Sequence, residues 1–196
     1  RFSMGMISYD SYLKQIFLGN ILLIVCCAFY LAWWMLAFRP ENAVKGMKSG
    51  WLLIPAAVSG ILSVVVILRG MGVENRSREL FSDSIVLWGG IAVYFLLTAV
   101  TLFFFQRPVT TELILIVGWV MLTLAEINAL YAYQSFTWGI AAVFIAVTGI
   151  AAVISLICYV RYYHLDSRAG FYDGMVPLLM AALVMLGLTV VMAVRR

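Results

Sequence analysis

Residues 112–133 read ELILIVGWVMLTLAEINALYAY, a stretch whose only interior charge is Glu126. At 1.5 Å per residue a helix of this length is about 33 Å long, enough to cross a hydrocarbon core of about 30 Å. The chain around it has the same character. Of its 196 residues 65% are apolar and 11% charged, and the mean hydropathy is +1.05. A soluble domain is about 45–50% apolar and about 25% charged. So little polar surface argues against a soluble enzyme, a disordered chain and a soluble disulfide scaffold.

Charges punctuate the chain at membrane-spanning intervals. Residues 15–38, 49–68 and 84–106 carry no charge, and further apolar runs cover 137–159 and 174–194. Backbone groups in lipid must be satisfied within their own segment, so these runs are helices. The expected fold is an all-α polytopic membrane protein, a bundle of six transmembrane helices built from three helical hairpins. Its loops are short and it has no soluble domain. Residues 1–196 form one transmembrane domain, with spans at about 15–38, 51–68, 84–105, 111–133, 137–160 and 174–194. Met6 is the expected natural start, and the first span is expected to be mature rather than a signal segment.

Local chemistry supports these boundaries. Asp83, Thr110 and Asp173 are expected N-caps of the third, fourth and sixth spans. Pro177 belongs in a first helical turn, where its missing N–H costs little. Pro55 lies slightly deeper, where a bend is conceivable. Lys and Arg number 13 against 9 Asp and Glu. The basic residues lie at span ends without forming a stripe, which points to headgroup anchoring and not to nucleic acid. Leaving out Arg1, they divide six against six between the two sides, so orientation is nearly undetermined. The terminal Arg195-Arg196 pair tips it towards both termini in the cytoplasm. The expected location is the plasma membrane, or a bacterial-type inner membrane. Cys26, Cys27 and Cys158 read as small packing residues.

Small residues mark close helix approach in lipid. Gly139, Ala142, Ala146 and Gly149 share one face of span five, and Ala56 and Gly60, with Ser63, share one of span two. Such faces pack within the bundle or between protomers.

A charge at mid-membrane costs about 2.5–3.5 kcal/mol on insertion scales, so Glu126 needs a partner or a wet cavity. Trp119, Thr123 and Tyr133 share its face by helical spacing, with Glu112 further along and Asn128 near the end. This polar stripe is a candidate solute or proton pathway, and Asn20 a candidate hydrogen-bond partner, as are Tyr94, Thr98 and Thr101. Residues 162–174 gather Tyr162, Tyr163, His164, Asp166, Arg168, Tyr172 and Asp173, which read as an interfacial belt.

Missing chemistry narrows the function. The one histidine, His164, excludes bis-histidine haem and a two-histidine zinc site. No Gly-x-Ser-x-Gly elbow, phosphate loop or Cys-x-x-Cys pair occurs. No catalytic residue, metal or cofactor is expected. The primary reading is a small-solute or ion transporter or channel, or the membrane subunit of one, with Glu126 coupling protons or binding solute. The alternative is a non-transporting interaction or assembly protein that packs through its Ala/Gly faces. Expected partners are the bilayer, another membrane protein or a second copy.

Overall fold

The structure, a computed structural model, describes residues 3–38, 49–73, 78–103, 111–162 and 167–195. Six α-helices follow in order: α1 (Ser3–Phe38), α2 (Leu53–Gly70), α3 (Asp83–Phe103), α4 (Thr111–Ala132), α5 (Trp138–Tyr162) and α6 (Ser167–Val194), with a short 3-10 turn at Ser49–Leu52 before α2. Each is long and apolar enough to cross a membrane. No strand occurs among the described residues.

The helices pack as three consecutive hairpins, α1 with α2, α3 with α4 and α5 with α6. Further contacts of α1 with α6, and of α5 with α4, order the neighbours as α2, α1, α6, α5, α4, α3. The principal core draws Ile16 from α1, Ile67 from α2, Ile127 and Leu130 from α4, Ala141 and Ala151 from α5, and Met185 and Leu188 from α6. In contrast α3 leans mainly on α4 and has no buried residue. A smaller cluster of Leu113, Ile116, Val117 and Tyr159, with Tyr94 and Leu97 packed against it, fixes its position.

The α1–α2 hairpin is the closest contact, and glycines make it so. A Cβ on Gly19 would sit 2.4 Å from Ile67 Cγ1 and 3.2 Å from the Ser63 carbonyl oxygen. A Cβ on Gly70 would meet Ile16 Cγ1 at 2.6 Å and the Ile16 backbone N at 3.0 Å. Ser63 Oγ donates to the Gly19 carbonyl at 2.8 Å. Small residues thus bring two backbones within hydrogen-bonding reach, the packing mode that works without a hydrophobic drive between helices.

Several helix ends differ from the sequence reading. Ser82, not Asp83, flanks the start of α3: its carbonyl and hydroxyl accept from Ile85 N and Ser84 N. Asn128 of α4 holds both the preceding backbone and the Asp83 carboxylate, and Asp83 is the first helical residue. Asp173 and Pro177 lie inside α6, because the helix begins at Ser167. Asp173 faces Arg161 of α5 at 3.2 Å instead of capping. Pro55 is the third residue of α2, still in the first turn where N–H groups lack intrahelical acceptors. Thr110 lies outside the described residues.

The α4–α5 connection is a tight reversal. Gln134 takes a left-handed φ of 59°, and Ser135 N and Phe136 N both donate to the Leu130 carbonyl. This closes the last turn of α4 in the manner usual for glycine-terminated helices.

Candidate functional site

Glu126 lies two-thirds along α4, on a face buried against α1 and α6. It and Asn20 of α1 are both 0% exposed. Asn20 Nδ2 donates to Glu126 Oε1 and also approaches Met192 Sδ of α6 at 4.0 Å. Asn20 Oδ1 and Glu126 Oε2 have no hydrogen-bond partner. One carboxyl and one carboxamide therefore meet in a dry contact where α1, α4 and α6 come together.

The rest of the stripe faces inward too, but its members serve separate ends. Thr123 is fully buried and its hydroxyl donates to the Trp119 carbonyl one turn back, at 2.8 Å. Trp119 packs against the core with its Nε1 unpartnered. Tyr133 donates its hydroxyl to the Gly70 carbonyl at 2.8 Å, satisfying a C-terminal carbonyl of α2. Glu112 is half-buried near the opposite end of α4.

Asn128 latches the chain that leads into α3. Its Oδ1 accepts from Leu80 N at 2.9 Å, and its Nδ2 donates to the Phe81 carbonyl at 2.8 Å and to Asp83 Oδ1 at 3.1 Å. A fully buried carboxamide that uses both ends on backbone and on Asp83 is a structural clamp. Of the residues suggested on span three, Thr101 donates to the Leu97 carbonyl and Tyr94 packs on the Leu113 cluster. Neither reaches Glu126.

At the other end of the bundle α1 meets the α5–α6 hairpin. Trp34, 4% exposed, donates Nε1 to the Phe171 carbonyl at 3.1 Å. Its ring stacks near Phe38 and Tyr162 and lies so close to Gly174 that a Cβ there would fall 2.3 Å from Cζ2. Of the polar belt read from the sequence, Tyr162 and Asp173 join this closure. His164 and Asp166 lie outside the described residues. Trp34, Gly19, Gly70 and Met192 are contacts that the sequence reading missed. Glycines in spans one and two were its available signal.

The small-residue faces part company. Ala56 is buried and Gly60 faces Cys26 of α1, so the span-two face lies against α1. The inward face of α5 is Ala141, Thr148, Ala151 and Ser155. At 100° per residue the Gly139, Ala142, Ala146, Gly149 face lies on the opposite side. Gly139, Ala146 and Gly149 are exposed there, and nothing lies within 4 Å of a Cβ built on either glycine.

A groove of about 350 Å³ runs between α3, α4 and α5, lined by apolar residues and glycines such as Phe81, Gly89, Gly90, Met121 and Ala152. None of the stripe residues lines it. Among the described residues no three His, Cys, Asp or Glu side chains gather as a metal site. No family model, curated protein or solved structure matches the chain.

Proposed function

We propose that this integral membrane protein is an interaction or assembly subunit that binds a transmembrane helix of a second membrane protein, or of another copy, along the outer face of α5. The observation that carries this reading is the direction of the Gly139, Ala142, Ala146, Gly149 face. It is continuous, and it points away from its own bundle. Facing lipid, a Leu would pack as well as a Gly. Small residues become useful when another backbone approaches closely. The dry environment of Glu126 supports the same reading, since its face is spent on interhelical contacts. The experiment compares two variants by energy transfer between labelled copies, and by co-purification with the membrane partner. Ala146→Leu abolishes association while the protein stays folded, and Glu126→Gln leaves association intact. Association that persists in Ala146→Leu contradicts the reading.

One observation favours a second reading, a small-solute or ion transporter or channel, or its membrane subunit. Glu126 Oε2 and Trp119 Nε1 are both buried on the inward stripe without partners, as a proton- or solute-binding path through Glu126, Thr123 and Trp119 would require. Loss of pH-coupled flux from proteoliposomes in Glu126→Gln supports it. Unchanged flux of every tested solute and of protons rejects it.

A further inference from the structure

The Asn20–Glu126 contact contains two buried acceptors and too few donors. Asn20 Nδ2 has two hydrogens. One goes to Glu126 Oε1 and the other is directed at Met192 Sδ. That leaves Asn20 Oδ1 and Glu126 Oε2, both out of contact with water, with nothing to accept. Each unsatisfied buried polar atom costs about 1–3 kcal/mol. An ionised carboxylate in such a place costs far more unless a cation or several N–H groups face it.

No cation does so among the described side chains. Lys14, Arg69, Arg78, Arg161 and Arg195 are all exposed. Lys14 pairs with Asp10 on α1, Arg161 with Asp173 between α5 and α6, and Arg195 on α6 reaches the Ser135 carbonyl. From α6 the group next to the pair is the Met192 thioether, and along α4 the Thr123 hydroxyl is committed to its own helix.

A single hydrogen balances the account. We infer that Asn20 and Glu126 form a proton-binding site, in which one proton resides on Glu126 Oε2 and is donated to Asn20 Oδ1. Carboxylic acid and carboxamide then close a ring with one N–H···O and one O–H···O bond, and every polar atom of the pair is satisfied. The O–H bond of the acid is the only bond added, the proton coming from water during folding or insertion. The bound proton has a structural consequence, because it doubles the hydrogen bonds between Asn20 of α1 and Glu126 of α4. The inference is independent of whether α5 has a partner, and it accounts for the unpaired oxygen without a transport path.

Infrared difference spectroscopy of the full chain in bilayers tests it. Subtracting the Glu126→Gln spectrum from the wild type isolates the Glu126 side chain. The expected difference is a carbonyl band of a protonated carboxylic acid that shifts in heavy water. It moves to higher frequency in Asn20→Ser, where the ring acceptor is lost. Should Asn20→Ser not fold, Asn20→Asp replaces it and must likewise move the band. A carboxylate pair of bands in place of the acid band overturns the inference, as does an acid band that no Asn20 substitution moves. The site also predicts that Glu126→Gln, whose amide supplies a hydrogen to Asn20 Oδ1 without a bound proton, keeps the wild-type melting temperature, whereas Glu126→Leu lowers it. Equal losses in both variants contradict it.

Discussion

Asn20 and Glu126, separated by 106 positions in sequence, share a hydrogen bond at the point where α1, α4 and α6 meet. Neither side chain is exposed. Interhelical polar contacts in membranes contribute modestly, averaging about 0.6 kcal/mol and reaching about 1.7. A double-mutant cycle with Asn20→Leu and Glu126→Leu, read from unfolding in detergent micelles, should return a coupling energy near the upper part of that range, about 1–1.7 kcal/mol. A coupling indistinguishable from zero would show that the contact does not hold α1 to α4.

The glycine contacts predict a contrast between positions. Gly19→Ala and Gly70→Ala place a methyl group into Ile67 and Ile16, where backbone atoms of the facing helix stand at 3.0–3.2 Å. Forced overpacking of this kind costs about 1–3 kcal/mol. Gly149→Ala has open space around its Cβ and should not destabilise the isolated protein. Thermal unfolding of the three variants side by side checks the ranking.

Much of this architecture is legible in the sequence, for a simple reason. Lipid demands runs of about 20 apolar residues, and charges such as Lys14, Arg39 and Arg69 mark where they stop. Short connections force consecutive spans together, hence three hairpins. The inward direction of Glu126 is readable because a carboxyl avoids acyl chains. The α5 face is a different case. Helical spacing groups Gly139 with Ala146, but both sides of a membrane helix meet apolar surroundings, so hydrophobicity does not say which side turns in. The start of α6 is hidden because Ser167 to Asp173 carries polar residues that resemble a loop. By spacing Asn128 belongs to the stripe, yet its partners are backbone groups of residues 80–81 and the Asp83 side chain, and sequence spacing does not reveal those.

That clamp is itself testable. Asn128→Ala removes the acceptor of Leu80 N and the donor to the Phe81 carbonyl. Because α3 buries no residue of its own, its start depends heavily on this anchor. Hydrogen exchange across residues 80–86 should quicken by about tenfold, which corresponds to about 1.4 kcal/mol of lost local protection. Exchange in α1 and α2 should stay as it was. Uniform acceleration throughout the chain would argue for a global role instead.

Gln134 offers a stabilising change. An L-residue with a side chain at φ 59° gives up roughly 1 kcal/mol relative to glycine. Gln134→Gly should therefore raise the melting temperature or leave it unchanged, as part of the strain relief is offset by greater freedom in the unfolded chain. A clear fall in melting temperature would mean that the Gln134 side chain contributes a contact of its own.

The functional reading turns on what lies against the outer side of α5 in the membrane. A photo-crosslinking amino acid placed at position 146, with the native protein's membrane as the setting, answers this by the mass of what it captures. The reading predicts a discrete protein adduct whose captured peptide belongs to a transmembrane helix, and whose yield drops when Gly149→Leu is added. Lipid adducts alone at position 146, matching those from the exposed position Ile61 on α2, would contradict it.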